Sequence, residues 1–265
     1  MLTNLKPFAE QAKALSTAVI TVESADEFRC AMNHIRERAA GGERPVIHFE
    51  IHGTGDKDGL YIKNGDIIKW PEVLQCISDI NYSSGCNLLV SFAVCFGQYL
   101  AQFINAARKM PFCISLGSYE ILYEDDLKVR FFAFYKELLT SFNIDKAYQA
   151  LIDAQRDMPS NYVLIKSDVL FAHVIKSYLE TQCTRTALKL RAESEMAANP
   201  ARFGNFTKEQ KRQFIKDFRR CEREHHEQYY QESIESYFML NEHPENRKRF
   251  LIFDTTEALL QQFNA

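Results

Sequence analysis

Three apolar runs, each closing on or near a glycine, constrain the fold of this chain more than any other feature. They are PVIHFEIHG (45–53), NLLVSFAVCFG (87–97) and PFCISLGS (111–118). Such runs are typical of parallel strands, because helices cover both faces of a parallel sheet. Segments with helical periodicity accompany the runs. This order of strand and helix predicts an α/β fold with a mostly parallel central sheet, helices on both faces, and ligands bound beyond the carboxyl ends of the strands.

The segment before the first run predicts one more strand and a helix. Residues 17–23 (TAVITVE) are rich in β-branched side chains, which favour a strand. Ser24 and Glu27 then have the spacing of a capping box. A helix is therefore expected from this point to about Arg38, with an end at the glycine pair 41–42.

The chain between and after the runs predicts a hairpin and several helices. GLYIKNGDIIKW (59–70) alternates around Asn64-Gly65, a dipeptide that favours a type I′ hairpin turn with positive φ at both positions. Pro71 suits the first turn of a helix that runs to about residue 80. Helical patterns follow at 99–110, 126–141 and 145–157.

Composition indicates a globular protein with a sizeable core. The chain has 265 residues, of which 46% are hydrophobic and 25% charged, and this fits one large domain or one domain with an extension. We predict a domain over 1–160 and a mostly helical region over 161–265, which becomes strongly charged after Arg185. The second region either completes the domain or serves regulation.

The net charge and the cysteine pattern indicate which cellular compartment and which classes of partner to expect. The net charge of −3 provides no general basic surface, so nucleic acid is not an expected partner. Neither a leader sequence nor a membrane span is recognisable, and no membrane partner is expected. The seven cysteines are scattered without a C-x-x-C pair, which indicates a reduced compartment and a cytoplasmic protein.

A histidine and a cysteine lie at the ends of two of the apolar runs. His52 comes just before the final glycine of the first run, and Cys95 comes two residues before the final glycine of the second. Both are therefore expected at the carboxyl edge of the sheet. A thiolate at Cys95 would be favoured by a nearby imidazole and by the start of the helix that follows. The N–H groups of Gly53 and Cys95 could bind the oxyanion of a tetrahedral intermediate. The pattern therefore predicts an acyl-transfer site.

Each of these residues alone is weak evidence. A cysteine in an apolar run is usually a core thiol, and a strand histidine is usually satisfied by local hydrogen bonds. Two buried strands of one sheet that each end in one member of a nucleophile and base pair, with a glycine beside each, form a combination that a random core seldom produces. The joint placement favours catalysis.

The two motifs also resemble a known clan. VIHFEIHG and LVSFAVCFG are similar to the histidine and cysteine motifs of the caspase-like cysteine peptidases, the clan of caspases, separase and gingipains. His52 and Cys95 are 43 residues apart, close to the roughly 50 of caspases. The stretch from Ile114 (SLGSYEILYEDD, then FFAFYKELLTSF) resembles the CHAT branch of that clan. The resemblance covers about 15–158.

The resemblance implies a fold and a function. The fold would be a caspase-like three-layer sandwich with a helical C-terminal extension. The function would be that of a cysteine endopeptidase that cleaves protein substrates through His52 and Cys95 and needs no cofactor. It would act in bacterial stress, cell death or antiphage defence, and an activating partner or a small signalling molecule would switch it on.

The match departs from caspases at the nucleophile. Ala93 and Val94 stand where caspases have glutamine and alanine, so aspartate specificity is not implied. Glu124, Asp125 and Asp126 follow the third run and could line a pocket for a lysine or arginine side chain. The simpler interpretation of the three acids is a helix N-terminus with favourable dipole interactions.

Two further groups of residues have spacings that raise the question of a metal or positioning site. His48 and Glu50 share one face of a strand with His52, which suggests that one of them orients the catalytic imidazole. A metal bound there is not expected, because no further ligand has suitable spacing. Cys221 and His225 have one-turn helical spacing, but a solvated charged helix explains them better than zinc does.

Two other functions fit the same residues. One is a non-enzymatic interaction module that keeps the fold without turnover. The other is a Cys-His acyl hydrolase or transferase acting on a non-peptide ester or thioester, because the same nucleophile and oxyanion site serve that chemistry.

Overall fold

A computed structural model of the chain describes residues 16–155 and 160–264. These residues form two compact units. The first unit contains 16–104, 111–155 and 160–166, and the second contains 105–110 and 167–264. The boundary after residue 166 lies close to the division at 160 that the change in sequence character suggested.

The first unit contains all seven strands of the described chain. The strands are β1 (Val46–Glu50), β2 (His52–Gly53), β3 (Gly59–Tyr61), β4 (Ile67–Lys69), β5 (Leu89–Ala93), β6 (Ile114–Ser118) and β7 (Tyr162–Lys166). The helices of this unit are α1 (Ala25–Ala40), α2 (Trp70–Ser83), α3 (Glu124–Ser141) and α4 (Ile144–Asp153), with a 3₁₀ helix at Gly97–Phe103. The predicted helix at 145–157 thus matches α4, and its residues 156 and 157 lie outside the described part.

The central sheet has four strands in the order β1-β5-β6-β7. β1, β5 and β6 are parallel, and β7 pairs antiparallel with β6 at the edge. A separate antiparallel sheet contains β2, β3 and β4. The expectation of an α/β fold with a mostly parallel central sheet is confirmed.

Helices pack on both faces of this sheet. On one face, Val90 and Phe92 of β5 pack in a core with α1 and α2, which contribute Phe28 and Trp70 among others. On the other face, Leu116 of β6 packs in a core with α3 and α4. Alternate residues of each strand serve the two cores, which explains why the apolar runs are continuous.

Local sequence determines how several of these elements begin. Ser24 caps α1, and its side chain accepts a hydrogen bond from the N–H of Glu27. Pro71 lies in the first turn of α2, where it removes no helical hydrogen bond. β3 and β4 form the expected hairpin, but only Gly65 of its Asn-Gly pair has positive φ, so the turn is not of type I′.

Three expectations about secondary structure were wrong. Residues 17–23 form no strand: Val19 is 70% exposed, and strand propensity without a pairing partner does not make a strand. The segment 99–110 forms only the end of the 3₁₀ helix, which stops at residue 103, where an α-helix was expected. β7 was expected to be helical, but it supplies the edge strand of the sheet.

The second unit is helical. Its helices are α5 (Ser167–Gln182), α6 (Arg185–Ala198), α7 (Pro200–Phe203), α8 (Lys208–Tyr237), α9 (Asn246–Arg249) and α10 (Thr256–Asn264). Phe171 of α5 packs against Tyr230 and Tyr237 of α8 in its core. Residues 105–110 join it through the N–H of Met110, which donates to the carbonyl oxygen of Tyr237. The helical C-terminal region is therefore confirmed from residue 167 onward.

In the described part of the chain, no helix combines the length and the apolar character that crossing a membrane would require.

Candidate active site

The cysteine and histidine loops meet at the carboxyl edge of the central sheet. β1 and β5 are adjacent, with Glu50 opposite Ala93 at the last pair of their register. The chain leaves β1 and enters β2 at His52, while β5 leads directly to Cys95. Because the strands are parallel, the segments that follow them lie at the same carboxyl edge of the sheet, as the sequence predicted.

The backbone of Gly53 lies directly against Cys95. A Cβ atom at position 53 would be 2.0 Å from the carbonyl oxygen of Cys95 and 3.3 Å from Cγ1 of Val94. No side chain fits at such a separation. Glycine at this position therefore allows the segment that carries His52 to reach the cysteine.

The strand pairing turns the N–H of Gly53 away from its own hairpin. The N–H of Thr54 donates to the carbonyl oxygen of Gly59 at 3.0 Å, and the N–H of Gly59 donates to Oγ1 of Thr54 at 3.2 Å, so residues 54 and 59 are a hydrogen-bonded pair. Gly53 and Leu60 form the next pair in the register, which is a non-hydrogen-bonded one. The N–H of Gly53 thus points outside the β2–β3 ladder.

Cys95 lies in a tight turn rather than at the start of an α-helix. Phe96 has positive φ (62°), and the N–H of Gly97 donates to the carbonyl oxygen of Val94 at 3.2 Å. The N–H of Cys95 has no hydrogen-bond partner among the described residues. The expected activation by the dipole of a following α-helix is therefore not available, because a seven-residue 3₁₀ helix follows instead.

The Cys95 thiol contacts the segment after β6. Its Sγ is 3.3 Å from the main-chain nitrogen of Leu122, whose N–H donates to it. The thiol also lies 3.8 Å from the carbonyl oxygen of the same residue. The N–H of Phe96 donates to the carbonyl oxygen of Glu120 at 3.1 Å, which fixes this segment beside the nucleophile turn. The segment after β6 is therefore in direct contact with the Cys95 thiol.

Sequence reasoning missed Leu122. A backbone donor leaves no mark in residue type, and nothing in the sequence indicated how the chain turns after β6. The only available signal was that residues 119–123 must leave the same sheet edge as Cys95.

His52 is exposed and makes no side-chain hydrogen bond with any described residue. Its imidazole is therefore open to solvent and to a bound substrate. Apo geometry of this kind is common, because catalytic hydrogen bonds often tighten only when substrate is bound.

Further contacts connect the loop after His52 with the turn after Cys95. The ammonium group of Lys57 lies 5.0 Å from the centre of the Phe96 ring and 3.3 Å from the hydroxyl of Tyr99. Thr54 Oγ1 accepts hydrogen bonds from the N–H groups of Asp58 and Gly59, which shape this loop. The loop after His52 and the turn after Cys95 therefore support each other.

The predicted base orienters are placed differently from His52. Nδ1 of His48 lies 3.0 Å from Oγ of Ser91 and 3.1 Å from the hydroxyl of Tyr135. Burial lowers the pKa of His48 to about 4. Glu50 is exposed, and its side chain makes no hydrogen bond with a described residue. Neither His48 nor Glu50 is hydrogen-bonded to His52.

The three acids of the predicted pocket form the first turn of α3, as the simpler interpretation had it. Asp126 pairs with the buried Arg130 and accepts a hydrogen bond from the hydroxyl of Tyr162, so it belongs to the core. Glu124 pairs with Lys128, and this salt bridge lowers the pKa of the Glu124 carboxyl. Asp125 is exposed and unpaired among the described residues, which leaves it as the acid most accessible to a substrate.

Metal ligation finds no support in the described residues, where no group of three or more potential ligands comes together. Cys221 and His225 lie on α8, and both are exposed. His226, next to them, is buried and lies 3.4 Å from Sγ of Cys183. The interpretation of this segment as a solvated charged helix agrees with the exposure of Cys221 and His225.

Neither the models of known protein families nor the sequences of curated proteins match this chain.

Proposed function

We propose that this protein is a cysteine endopeptidase with a caspase-like three-layer fold, in which Cys95 is the nucleophile and His52 the general base. The observation that carries the proposal is the contact between Gly53 and Cys95. It places the residue after the histidine against the nucleophile and leaves two N–H groups, those of Gly53 and Cys95, outside the surrounding hydrogen bonds.

The residues provide each step of acyl transfer. The Cys95 thiolate attacks the peptide carbonyl carbon and forms the S–C bond, and the carbonyl π electrons move to oxygen, which the N–H groups of Gly53 and Cys95 stabilise. His52 accepts the proton of the Cys95 thiol and gives it to the leaving amine nitrogen as the C–N bond breaks. It then removes a proton from water, which attacks the thioester carbonyl carbon, and the C–S bond breaks to release the Cys95 thiolate.

The surroundings of the thiol suit a polypeptide substrate. Ile121 and Tyr123, on either side of Leu122, are 57% and 69% exposed. Exposed apolar side chains beside a nucleophile offer contacts to substrate side chains. We further propose, from the resemblance of the motifs, that an activating partner or small signal regulates the enzyme and that it acts in bacterial stress or antiphage defence.

The test is covalent labelling by a peptidyl electrophile, followed by intact mass, with and without extract from stressed or phage-infected cells. We expect one adduct that is lost in Cys95→Ala and forms about 10²–10⁴-fold more slowly in His52→Ala, the usual contribution of a general base. Cys221→Ala removes an exposed thiol and is the matched control, with labelling unchanged. Labelling that persists in Cys95→Ala would exclude this site.

A second assay separates the alternative functions. An acyl hydrolase on small substrates would cleave a thioester while leaving proteins intact. An interaction module would show no Cys95-dependent adduct under any condition. Cleavage of proteins that depends on both Cys95 and His52 would support the endopeptidase.

A further inference from the structure

A basic cavity lies in the second unit. Its volume is about 690 Å³, within the range of small-molecule sites. Its lining side chains are five cations and one carboxylate: Arg185, Lys216, Arg219, Arg220, Arg223 and Glu224. This concentration of positive charge contrasts with the net charge of −3 of the whole chain.

The helix α8 arranges four of these cations on one face. Lys216, Arg219, Arg220 and Arg223 follow the i, i+3, i+4, i+7 spacing that aligns side chains along a helix. Like charges at this spacing repel one another and lower helix stability. An anion bound between these side chains would relieve the repulsion.

Most of the cations have no partner of opposite charge. Arg220 pairs with Asp217 at 3.3 Å, an exposed contact. Lys216, Arg219, Arg223 and Arg185 form no ion pair or side-chain hydrogen bond with any described residue. Their donors are therefore available to a ligand.

Arg219 gives the most specific indication. Its Nε is buried and has no hydrogen-bond partner among the described residues. A buried donor without a partner is costly, and in native proteins it requires an explanation such as a bound ion. Guanidinium groups bind phosphate oxygens through paired N–H donors.

The start of α6 adds a second source of positive potential. Arg185 is the first residue of this 14-residue helix, and Thr184 caps it by accepting a hydrogen bond from the N–H of Ala187. The N–H groups of residues 185 and 186 remain without a partner in the described chain. Helix N-termini of this kind favour phosphate groups.

We infer that this cavity binds a small ligand with several phosphate groups, such as a nucleoside polyphosphate. The cavity volume, the stripe of unpaired cations, the buried Nε of Arg219 and the start of α6 all favour a compact polyanion. The site does not depend on the proposed peptidase activity, because all its residues lie in the second unit.

The experiment is calorimetric titration of the full chain carrying Cys95→Ala with inorganic tripolyphosphate at about 50 mM salt, where electrostatic binding is strong. We expect saturable binding that weakens at about 200 mM salt. Arg219→Gln and Lys216→Gln should each weaken the affinity about tenfold, the usual effect of losing a charge-assisted hydrogen bond. Lys216 is exposed, so Lys216→Gln tests the site without disturbing packing.

Lys211→Gln is the matched control, because Lys211 is exposed on the same helix, lies outside the cavity lining and does not share the face of the cation stripe. It should change the affinity less than about twofold. Affinity for ATP equal to or above that for tripolyphosphate supports the inference. No binding of either ligand, equal effects of Lys211→Gln and Lys216→Gln, or equally tight binding of a hexa-aspartate peptide would overturn it.

Discussion

Position 53 is the narrowest point of the candidate active site. Its backbone lies so near Cys95 that a Cβ atom would come within 2.0 Å of the carbonyl oxygen of that residue. In Gly53→Ala the two segments must separate. Because the N–H of residue 53 is a proposed oxyanion donor, we expect Cys95 labelling by a peptidyl electrophile to slow about 100-fold, as for misplacement of catalytic groups by about 1 Å.

The same loop supplies a matched control. A Cβ atom at Gly55 would meet no atom within 4 Å, and that residue does not have positive φ. Gly55→Ala should therefore leave the labelling rate and the thermal denaturation midpoint unchanged. Equal labelling rates in the two variants would contradict the assigned contact between Gly53 and Cys95.

His48 is a largely buried titratable group on β1 that makes no hydrogen bond with His52. Its imidazole packs against the rings of Phe131 and Tyr135, and its Nε2 has no hydrogen-bond partner in the described chain. Burial lowers its pKa to about 4. The folded state therefore holds this histidine neutral at pH values where the unfolded chain, with a pKa near 6.5, binds a proton.

This shift predicts a loss of stability in mild acid. The unfolded state binds more protons between about pH 6.5 and 4, so the free energy of unfolding falls as the pH decreases through that range. Between pH 7.5 and 5 the His48 contribution is about 2 kcal/mol. Urea denaturation of the wild type and of His48→Gln at both pH values measures it. The pH-dependent loss should be smaller in the variant by that amount, and an equal loss in both proteins would contradict the assignment.

At the scale of the element, α3 carries two ion pairs with the same i, i+4 spacing and different environments. The pair between Arg130 and Asp126 is buried, and Arg130 also donates to the carbonyl oxygens of Leu151 and Ile152 near the end of α4. The pair between Lys128 and Glu124 is exposed. The buried guanidinium thus joins two helices, while the exposed pair lies on one.

Removal of the buried cation should be strongly destabilising. Arg130→Met leaves Asp126 buried without its charge partner and frees carbonyl oxygens of α4, and we expect a loss of about 3–5 kcal/mol in the free energy of unfolding. Lys128→Met, in the exposed pair, should change it little, because water and salt screen that interaction. Chemical denaturation of both variants is the measurement, and similar losses would show that burial does not distinguish the pairs.

A strand is easiest to predict from sequence when all of its residues are buried to the same extent. β5 is buried at all five residues, so its apolar run is continuous and unmistakable. β7 is mostly half-buried, and it runs without a break into α5, so a single apolar segment contained a strand and a helix. The prediction of a helix after Cys95 was wrong. The apolar residues at 99–110 are spaced as they are because they are buried in a chain segment that is mostly irregular, not because the segment is an α-helix.

The same distinction applies to the candidate site. The loops that carry His52 and Cys95 lie at the same edge of the sheet because each follows a parallel strand. Apolar runs and the connection rules for such strands can predict this placement. The hydrogen bond from Leu122 to the thiol depends on the path of a loop, and a backbone donor is independent of residue type. The partners of His48 likewise became visible only when α3 was placed on its face of the sheet.

At the scale of the whole molecule, apolar cores rather than covalent links hold the chain together. All seven cysteines lie in the described part of the chain, where none forms a disulfide, and only Cys30 and Cys221 are exposed. A native disulfide typically contributes 2–5 kcal/mol, which is several degrees in the denaturation midpoint. Since no disulfide is present, the thermal denaturation midpoint should be the same with and without reductant. Labelling at Cys95 should fall after mild oxidation, because only a reduced thiol attacks the electrophile. The Cys30→Ser/Cys221→Ser variant controls for disulfides between molecules. A midpoint that drops several degrees on reduction in that variant would mean that the native chain contains a disulfide.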